Sequence, residues 1–152
     1  MTVVIQRICS AAVTADGIPT GKAARGLLLL IGVKSGDTED ICDRMTDKIA
    51  KMRIFEDENG KMNLSVSDID GEILAVSNFT LCASCRRGNR PDFFEAERPE
   101  AASRLYLRMV ERLRSLGLHT ETGEFGADML IKSELSGPVT IILDSERDLA
   151  KK

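Results

Sequence analysis

The sequence predicts one α+β or mixed α/β domain, with an antiparallel-rich, curved, barrel-like sheet and two main amphipathic helices. Its length of 152 residues suits a single core. Short strand-like runs alternate with turn dipeptides, of which Asp16-Gly17, Asn59-Gly60 and Asp70-Gly71 are the strongest. Two longer segments carry apolar residues at helical spacing. Many short strands with only two helices are typical of this class, so we place the domain at residues 1–145 and a polar, frayed tail at 146–152.

The chain begins with two predicted strands, Thr2–Ile8 and Ala11–Ala15, which end at the Asp16-Gly17 turn. A continuous apolar run, Leu27–Val33, follows Gly26 and is typical of a strand covered on both faces. The segment from Gly17 to Lys22 contains a Gly-Lys pair, but the spacing between its first glycine and this pair is one residue shorter than in a phosphate-binding loop. We therefore interpret that segment as a turn.

The first helix is predicted from an apolar stripe. Ile41, Met45, Ile49 and Met52 lie at spacings of four, four and three, so their side chains share one face of a helix. Asp37 precedes the stripe and is a good N-cap.

The rest of the chain contains extended structure at Arg53–Phe55, a strand at Glu72–Ser77 and a loop at Ala83–Arg98. Pro99 suits the first position of the second helix. The apolar stripe of that helix and its stop residue are Leu105, Met109, Leu113, Leu116 and Gly117. The last strand-like runs are Leu118–Thr122, Asp128–Leu135 and Val139–Leu143.

Composition limits the possible partners and location. Hydrophobic residues make up 43% of the chain and charged residues 30%, which is ordinary for a globular protein. The formal net charge of −3 means that any RNA contact must come from a local basic patch. The longest apolar run, Leu27–Val33, is far shorter than the roughly 20 residues of a membrane helix. With four cysteines and no secretory leader, we expect reduced thiols, a cytoplasmic location and no membrane association.

Conventional catalytic side chains are few. His119 is the only histidine, and its position just after a helix stop favours a surface or strand role over a catalytic one. Cys82 and Cys85 form a C-x-x-C pair, but no second pair of ligands has the spacing of a zinc site. We interpret both cysteines as bystanders and expect neither a metal nor a cofactor.

Basic residues occur in two different settings. Arg104, Arg108 and Arg112 lie four residues apart and share one face of the second helix, which we interpret as a solvated face. Arg86, Arg87 and Arg90 lie in the predicted loop with few acidic neighbours, so they are better candidates for contacts with tRNA phosphates or other backbone phosphates.

Two segments break the local rules of the elements around them. In Ser77-Asn78-Phe79-Thr80-Leu81 a polar cluster interrupts an apolar strand. In Ser136-Gly137-Pro138-Val139-Thr140 a Gly-Pro kink stands directly before a β-type run, where it would present main-chain carbonyls in a fixed direction. Because such breaks concentrate at functional sites, we predict a site built from these two segments.

Both segments belong to an ordered set of motifs that runs through nearly the whole chain without large gaps. The set comprises Gln6-Arg7, Arg53-Ile54-Phe55, Gly60-Lys61-Met62-Asn63-Leu64, Ser77-Asn78-Phe79-Thr80-Leu81, Arg90-Pro91, Thr122-Gly123, Phe125-Gly126-Ala127-Asp128-Met129 and Gly137-Pro138-Val139-Thr140. Any one of these would be weak, but together they resemble the D-aminoacyl-tRNA deacylase family.

The resemblance implies a carboxylic ester hydrolase that acts at the 3′-terminal adenosine of D-aminoacyl-tRNA and releases free amino acid and tRNA. It also implies action on glycine mischarged on tRNA-Ala. The family functions as a homodimer with a cross-subunit active site, in which a Gly-cisPro element enters the partner's pocket. The main-chain carbonyls of that element would hold the substrate's amino group and leave no room for an L side chain.

The resemblance also assigns roles to particular residues. Arg7 would buttress the Gly137-Pro138 element, while Phe125 and Met129 would line the adenosine pocket. Thr80 has no obvious base, so the ribose 2′-hydroxyl and main-chain groups would carry much of the chemistry. The residues implied to bind the reacting carbonyl of the substrate ester are Ser77, Asn78, Phe79 and Thr80.

Three positions depart from the usual family residues: Asn78 stands in place of Gln, Leu135 in place of Asn and Asp92 in place of Ser. The first two support an alternative function, a non-catalytic RNA-binding or assembly module that keeps the deacylase fold. A related deacylase with a trans Gly-Pro bond and a roomier pocket is a second alternative, and a thiol redox protein built on Cys82 and Cys85 is a third.

Overall fold

Two long antiparallel strands organise the structure, a computed structural model that describes residues 1–149. The elements in chain order are β1 (Thr2–Ala15), β2 (Ile18–Ala23), β3 (Gly26–Gly32), α1 (Glu39–Ala50), β4 (Phe55–Glu56), β5 (Met62–Leu64), β6 (Glu72–Ser77), a 3₁₀ turn (Phe79–Cys82), α2 (Pro99–Ser115), β7 (Thr120–Thr122), β8 (Met129–Asp144) and α3 (Ser145–Asp148). The predicted class, a single mixed α/β domain with a barrel-like sheet, is confirmed.

The main sheet has the order β2-β1-β3-β6-β7, with β8 paired to β1. Residues 2–8 of β1 pair with β3 and residues 11–15 pair with β2, whereas β8 pairs with both parts. All pairs of β1 are antiparallel, and the β3–β6 and β6–β7 pairs are parallel. The parallel pairs follow from the helices between these strands, because parallel neighbours need a long crossover.

The sheet curls until β2 approaches β7. The backbone N–H of Lys22 donates to Glu121 Oε2 at 2.7 Å. Gly21 makes the approach possible, because a Cβ at this position would lie 2.4 Å from the carbonyl oxygen of Thr122. The result is a barrel that is nearly closed.

The core has two parts, one on each face of the sheet. The larger part lies between the sheet and the helices, and its members include Val3, Ile5, Leu29, Ile49, Tyr106 and Met109. The smaller part fills the inside of the curled sheet and consists of Ile8, Ala11, Val13, Ala23, Leu28, Leu74 and Val76. Because β3 contributes to both parts, the predicted strand covered on two faces is confirmed.

Two of the three α2 arginines that we interpreted as solvated, Arg108 and Arg112, are paired with carboxylates of α1, whereas Arg104 is exposed as predicted. Arg108 makes two 2.8 Å hydrogen bonds with the Asp43 carboxylate, and Arg112 makes the same pair with Asp47. These hydrogen bonds lower the pKa values of both carboxyls. Because these pairs are solvent-accessible, screening by water leaves each with only a small effect on the stability of the fold.

Two pairs of strand predictions and one turn prediction were wrong at the local level. The two strands predicted at 2–8 and 11–15 are one strand, β1, and the two predicted at 128–135 and 139–143 are one strand, β8. Each remains one strand because β1 and β8 pair along most of their length. Shifts of register near Ile8 accommodate the residues that interrupt the regular pattern. The segment interpreted as a turn after Asp16-Gly17 is a strand, β2, because β1 offers it an edge to pair with.

Helix and tail boundaries also differ from the predictions. The N-cap of α1 is Thr38, whose side chain accepts from the backbone N–H of Ile41, whereas Asp37 accepts from the backbone N–H of Lys34. α1 ends at Ala50, so Met52, which we had predicted for its apolar stripe, lies beyond the helix. Leu116, which we had predicted for the apolar stripe of α2, is 44% exposed. Residues 145–148 form α3 instead of a frayed tail, and residues 150–152 lie outside the described residues. No helix in the described part of the chain could span a membrane.

Candidate active site

A cleft of about 810 Å³ lies where β3 and β6 end, beside α2 and the segment that leads into β8. Its volume lies within the range of small-molecule sites, roughly 300–1,000 Å³. Six of the residues predicted for the site line it: Ser77, Asn78, Phe79, Thr80, Phe125 and Met129. The structure therefore brings together two motifs that lie about 50 residues apart in the sequence.

The Ser77–Thr80 segment is held by backbone and side-chain hydrogen bonds. The backbone N–H of Asn78 donates to the carbonyl oxygen of Ile31 at 2.8 Å, which ties the end of β6 to β3. Asn78 Oδ1 accepts from the Thr80 backbone N–H at 3.2 Å and also from the Thr80 hydroxyl. Asn78 is thus the N-cap of the 3₁₀ turn, and its amide fixes the direction of the Thr80 hydroxyl.

Aromatic side chains form the walls of the cleft. The rings of Phe79 and Phe93 meet edge to face with centroids 5.0 Å apart. Across the cleft, Tyr106 and Phe125 have centroids 6.0 Å apart. The Tyr106 hydroxyl donates to the carbonyl oxygen of Ala75 at 2.9 Å, and burial raises its pKa to about 12. Tyr106 therefore stays neutral and cannot act as a base near pH 7.

Met129 reaches the cleft because of Gly123. A Cβ at position 123 would lie 2.5 Å from Met129 Sδ, so a larger residue here would push the flexible thioether to another position. The backbone N–H of Gly123 donates to the carbonyl oxygen of Ala75, which places the segment beside β6.

Arg7, Gly137 and Pro138 do not line the cleft. Arg7 is buried, and its guanidinium donates to the carbonyl oxygens of Ile54, at 2.8 Å, and Ser136, at 3.3 Å. The Gly137–Pro138 peptide is cis, the geometry that the resemblance implies, and both residues are exposed. Gly137 has a φ of +120°, and a Cβ there would lie 3.0 Å from Arg7 Nη2. Arg7 is therefore in direct contact with the Gly-Pro element.

The loop arginines project from a small anchored loop. Two 2.9 Å backbone hydrogen bonds join Ser84 and Asp92, and the tip between them carries Arg86, Arg87 and Arg90, all exposed. Within residues 1–149, none of the three arginines makes an ion pair.

Histidine and cysteine side chains lie outside the cleft, although two acidic residues, Glu97 and Asp128, line it. His119 is exposed outside the cleft and contacts Glu121 at 3.3 Å. Cys82 is buried, its thiol donates to the Val33 carbonyl oxygen, and burial raises its pKa, whereas Cys85 is exposed. No group of three or more His, Cys, Asp or Glu residues that could hold a metal occurs among the described residues.

Sequence reasoning missed several residues of the cleft. Phe93, Glu97, Ala102 and Tyr106 line it. Ala102 and Tyr106 lie four residues apart on α2, a helical spacing that was available as a signal but is the same as that of a core stripe. Phe93 and Glu97 lie in a loop without periodicity, so no local pattern identifies them.

Comparisons with known proteins agree with this geometry. The family model for D-Tyr-tRNA(Tyr) deacylase matches residues 4–144. A D-aminoacyl-tRNA deacylase of Lactobacillus acidophilus is 53% identical over 95% of this chain and 99% of its own length. A D-aminoacyl-tRNA deacylase of Thermotoga petrophila is 51% identical over 97% of this chain and 99% of its own length.

Two solved structures share the fold. One, described as a c-Myc DNA unwinding element binding protein, has a TM-score of 0.88 and 40% identity over 95% of this chain and 98% of its own. The other, described as a probable eukaryotic D-amino acid tRNA deacylase, has a TM-score of 0.81 over 94% of this chain and 99% of its own. Its 17% identity supports the fold alone.

Proposed function

The chain belongs to the D-Tyr-tRNA(Tyr) deacylase family and is a hydrolase of the D-aminoacyl-tRNA deacylase class, and from this premise we propose how its residues divide the work. The observation that carries the proposal is the cleft, which unites Ser77–Thr80 with Phe125 and Met129. The aromatic walls suit the terminal adenosine, since adenine binds by stacking and apolar contact. The polar end at Asn78 and Thr80 suits the ester.

The reaction requires that water adds to the ester carbonyl and that the bond to the ribose 3′ oxygen breaks, with a proton passing to that oxygen. We assign Ser77, Asn78, Phe79 and Thr80 to the binding of the reacting carbonyl. The Thr80 hydroxyl already donates to Asn78 Oδ1, and neither a histidine nor a thiol lines the cleft. Following the family resemblance, we assign the orientation of the attacking water to the substrate's own 2′-hydroxyl and not to the Glu97 and Asp128 carboxylates that line the cleft.

Chiral selection would come from Gly137 and Pro138. Both are exposed, and Arg7 supports them from behind through Ser136. Main-chain carbonyls of this element would accept from the substrate's ammonium group and leave no space for an L side chain, which permits D-amino acids and achiral glycine. Selection by exclusion requires a rigid wall, and the buried guanidinium of Arg7 provides that support.

A second copy of the chain would bring the two halves of the site together. Ile142, Val4 and Leu30 are register partners across three strands, so their partly exposed side chains form one apolar row. Val4 points away from the helices, because its neighbours Val3 and Ile5 pack beneath them. Ile142 is 54% exposed, and β8 pairs with no strand but β1 in the described part of the chain. An apolar face beside an open strand edge favours a homodimer with a cross-subunit site.

The loop arginines are proposed to contact the tRNA backbone, because exposed cations without ion-pair partners can replace phosphate counterions. Changing Arg86 and Arg87 to Gln should lower the salt dependence of tRNA binding by a slope of roughly 1.4 on a log–log plot. All four cysteines are free thiols, which supports the cytoplasm, where tRNA is found, as the location.

The direct test compares D- and L-tyrosyl-tRNA and glycyl-tRNA(Ala) as substrates. We expect release of D-tyrosine and glycine and an intact L-ester. Equal rates on both enantiomers would contradict the proposed filter. Binding of tRNA without release of any amino acid would instead favour the non-catalytic RNA-binding module.

The cross-subunit arrangement has its own test. Asn78→Ala disables the cleft, and Gly137→Ala displaces the Gly-Pro element, because the added Cβ meets Val139 at 2.9 Å. Co-expression of the two inactive variants should restore about a quarter of the wild-type activity, since half of the dimers are hybrids with one intact site. If each chain carried a complete site, the mixture would stay inactive.

A further inference from the structure

Aromatic residues are few in this chain and are concentrated at the cleft. The sequence has five phenylalanines, one tyrosine and no tryptophan. Phe79, Phe93, Phe125 and Tyr106 line the cleft. Phe94 follows directly on the wall residue Phe93 and is 85% exposed.

The exposure of Phe94 is unusual for a residue of its type. A phenylalanine side chain loses a large favourable transfer free energy when it is left in water. Its own backbone N–H is held by Asp92 Oδ1, and Asp92 is paired with Ser84 at the base of the arginine-bearing tip. The same anchored loop therefore carries an open aromatic face and the exposed arginines Arg86, Arg87 and Arg90, which make no ion pair within residues 1–149.

An aromatic face beside cationic side chains fits single-stranded nucleic acid. Bases stack on the ring, and arginines contact the phosphates between them. The carboxylates of the same loop are outnumbered, because residues 83–98 contain four arginines and three acidic residues. Asp92 and Glu97 are also held towards the backbone, where they accept from the N–H groups of Phe94 and Arg98. Glu95 is exposed and lies on the far side of Phe94 in sequence from the tip.

We propose that Phe94, together with the loop tip, forms a second nucleotide subsite at the rim of the cleft. It takes the base of the nucleotide that precedes the terminal adenosine of the tRNA 3′ end. The inference rests on the proposed function, since the adenosine in the cleft determines which nucleotide reaches Phe94. The subsite makes Phe94 a binding residue for the single-stranded end and gives it no part in the chemical step.

The test compares a substrate that reaches the subsite with one that does not. D-tyrosyl-tRNA carries the preceding nucleotides, whereas D-tyrosyl-adenosine ends at the cleft. Phe94→Ala should lower kcat/KM on the tRNA roughly 5- to 150-fold, the range that one stacked base supplies, and leave the rate on D-tyrosyl-adenosine unchanged. Phe94→Trp should restore activity on the tRNA. The control is Leu107→Ala, which removes an exposed apolar side chain of α2 and should change neither rate.

Each other outcome overturns one proposal. An equal loss on both substrates, or no loss on the tRNA, would overturn the subsite. Wild-type protein inactive on both would overturn the proposed function, and the subsite would then be judged by binding of the trinucleotide rCrCrA. Weaker binding of rCrCrA to Phe94→Ala than to wild type supports the subsite, and equal binding refutes it.

Discussion

Gly32 lies directly beneath the segment assigned to the ester. A Cβ at this position would lie 2.9 Å from Leu81 Cβ and 3.1 Å from the carbonyl oxygen of Asn78. Real contacts of this kind are almost always longer, so Gly32→Ala must push the 3₁₀ turn outward or strain β3. Overpacking of this size costs about 1–3 kcal/mol of folding free energy.

The displacement should affect catalysis more than folding. Because a misplacement of about 1 Å can cost about a hundredfold in rate, a shift of a few tenths of an ångström should lower kcat on D-aminoacyl-tRNA about tenfold. Gly117→Ala is the matched control: Gly117 has a φ of +83° and open space around it. Alanine in that left-handed conformation costs about 1–2 kcal/mol, a similar loss of stability at the end of α2.

Urea unfolding and single-turnover deacylation, measured on both variants, separate the two effects. We expect similar losses of unfolding free energy and a loss of rate in Gly32→Ala alone. The reasoning fails if Gly32→Ala keeps the wild-type kcat, or if Gly117→Ala loses as much rate.

Three further changes test the structure elsewhere. Burial alone would raise the pKa of Asp144, but hydrogen bonds from Lys34 and two neighbours outweigh it and hold the pKa at about 2, below the usual 3.8. The carboxylate therefore stabilises the fold above pH 4 and loses this effect as the pH falls towards 2. Asp144→Asn should lower the unfolding free energy, measured in urea, by about 2 kcal/mol at pH 7 and by almost nothing near pH 2. A loss of unfolding free energy that is the same at both pH values would contradict this. Arg7→Lys replaces two guanidinium hydrogen bonds to carbonyls with one at most, so the unfolding free energy should fall by about 2 kcal/mol. The variant should also reject L-tyrosyl-tRNA less strictly. An unchanged urea midpoint would refute the support role of Arg7. Changing Cys82 and Cys85 together to Ser should leave deacylation within a few-fold with or without a chelator, whereas activity that returned only with added zinc would revive the metal-site alternative.

Local patterns determined much of the fold. The predicted strand at Glu72–Ser77 has the same bounds as β6, and Pro99 begins α2 as predicted. Both depend on short-range signals, namely an apolar run that follows the Asp70-Gly71 turn and the fixed φ of proline. The predictions failed where pairing partners decide, as in β2, which has weak strand residues and forms because β1 lies beside it.

For the candidate site, the sequence by itself predicted which segments form it, through the ordered motifs and the breaks in local rules at Asn78 and Gly137. Only the tertiary structure decided that Phe93 and Tyr106 join Ser77–Thr80 in one cleft, while Arg7 and Gly137 lie outside it. The physical reason is that these groupings come from the closure of a curled sheet. The pairing of β1 with β8 and the approach of β2 to β7 join residues more than 90 positions apart, which no local periodicity records.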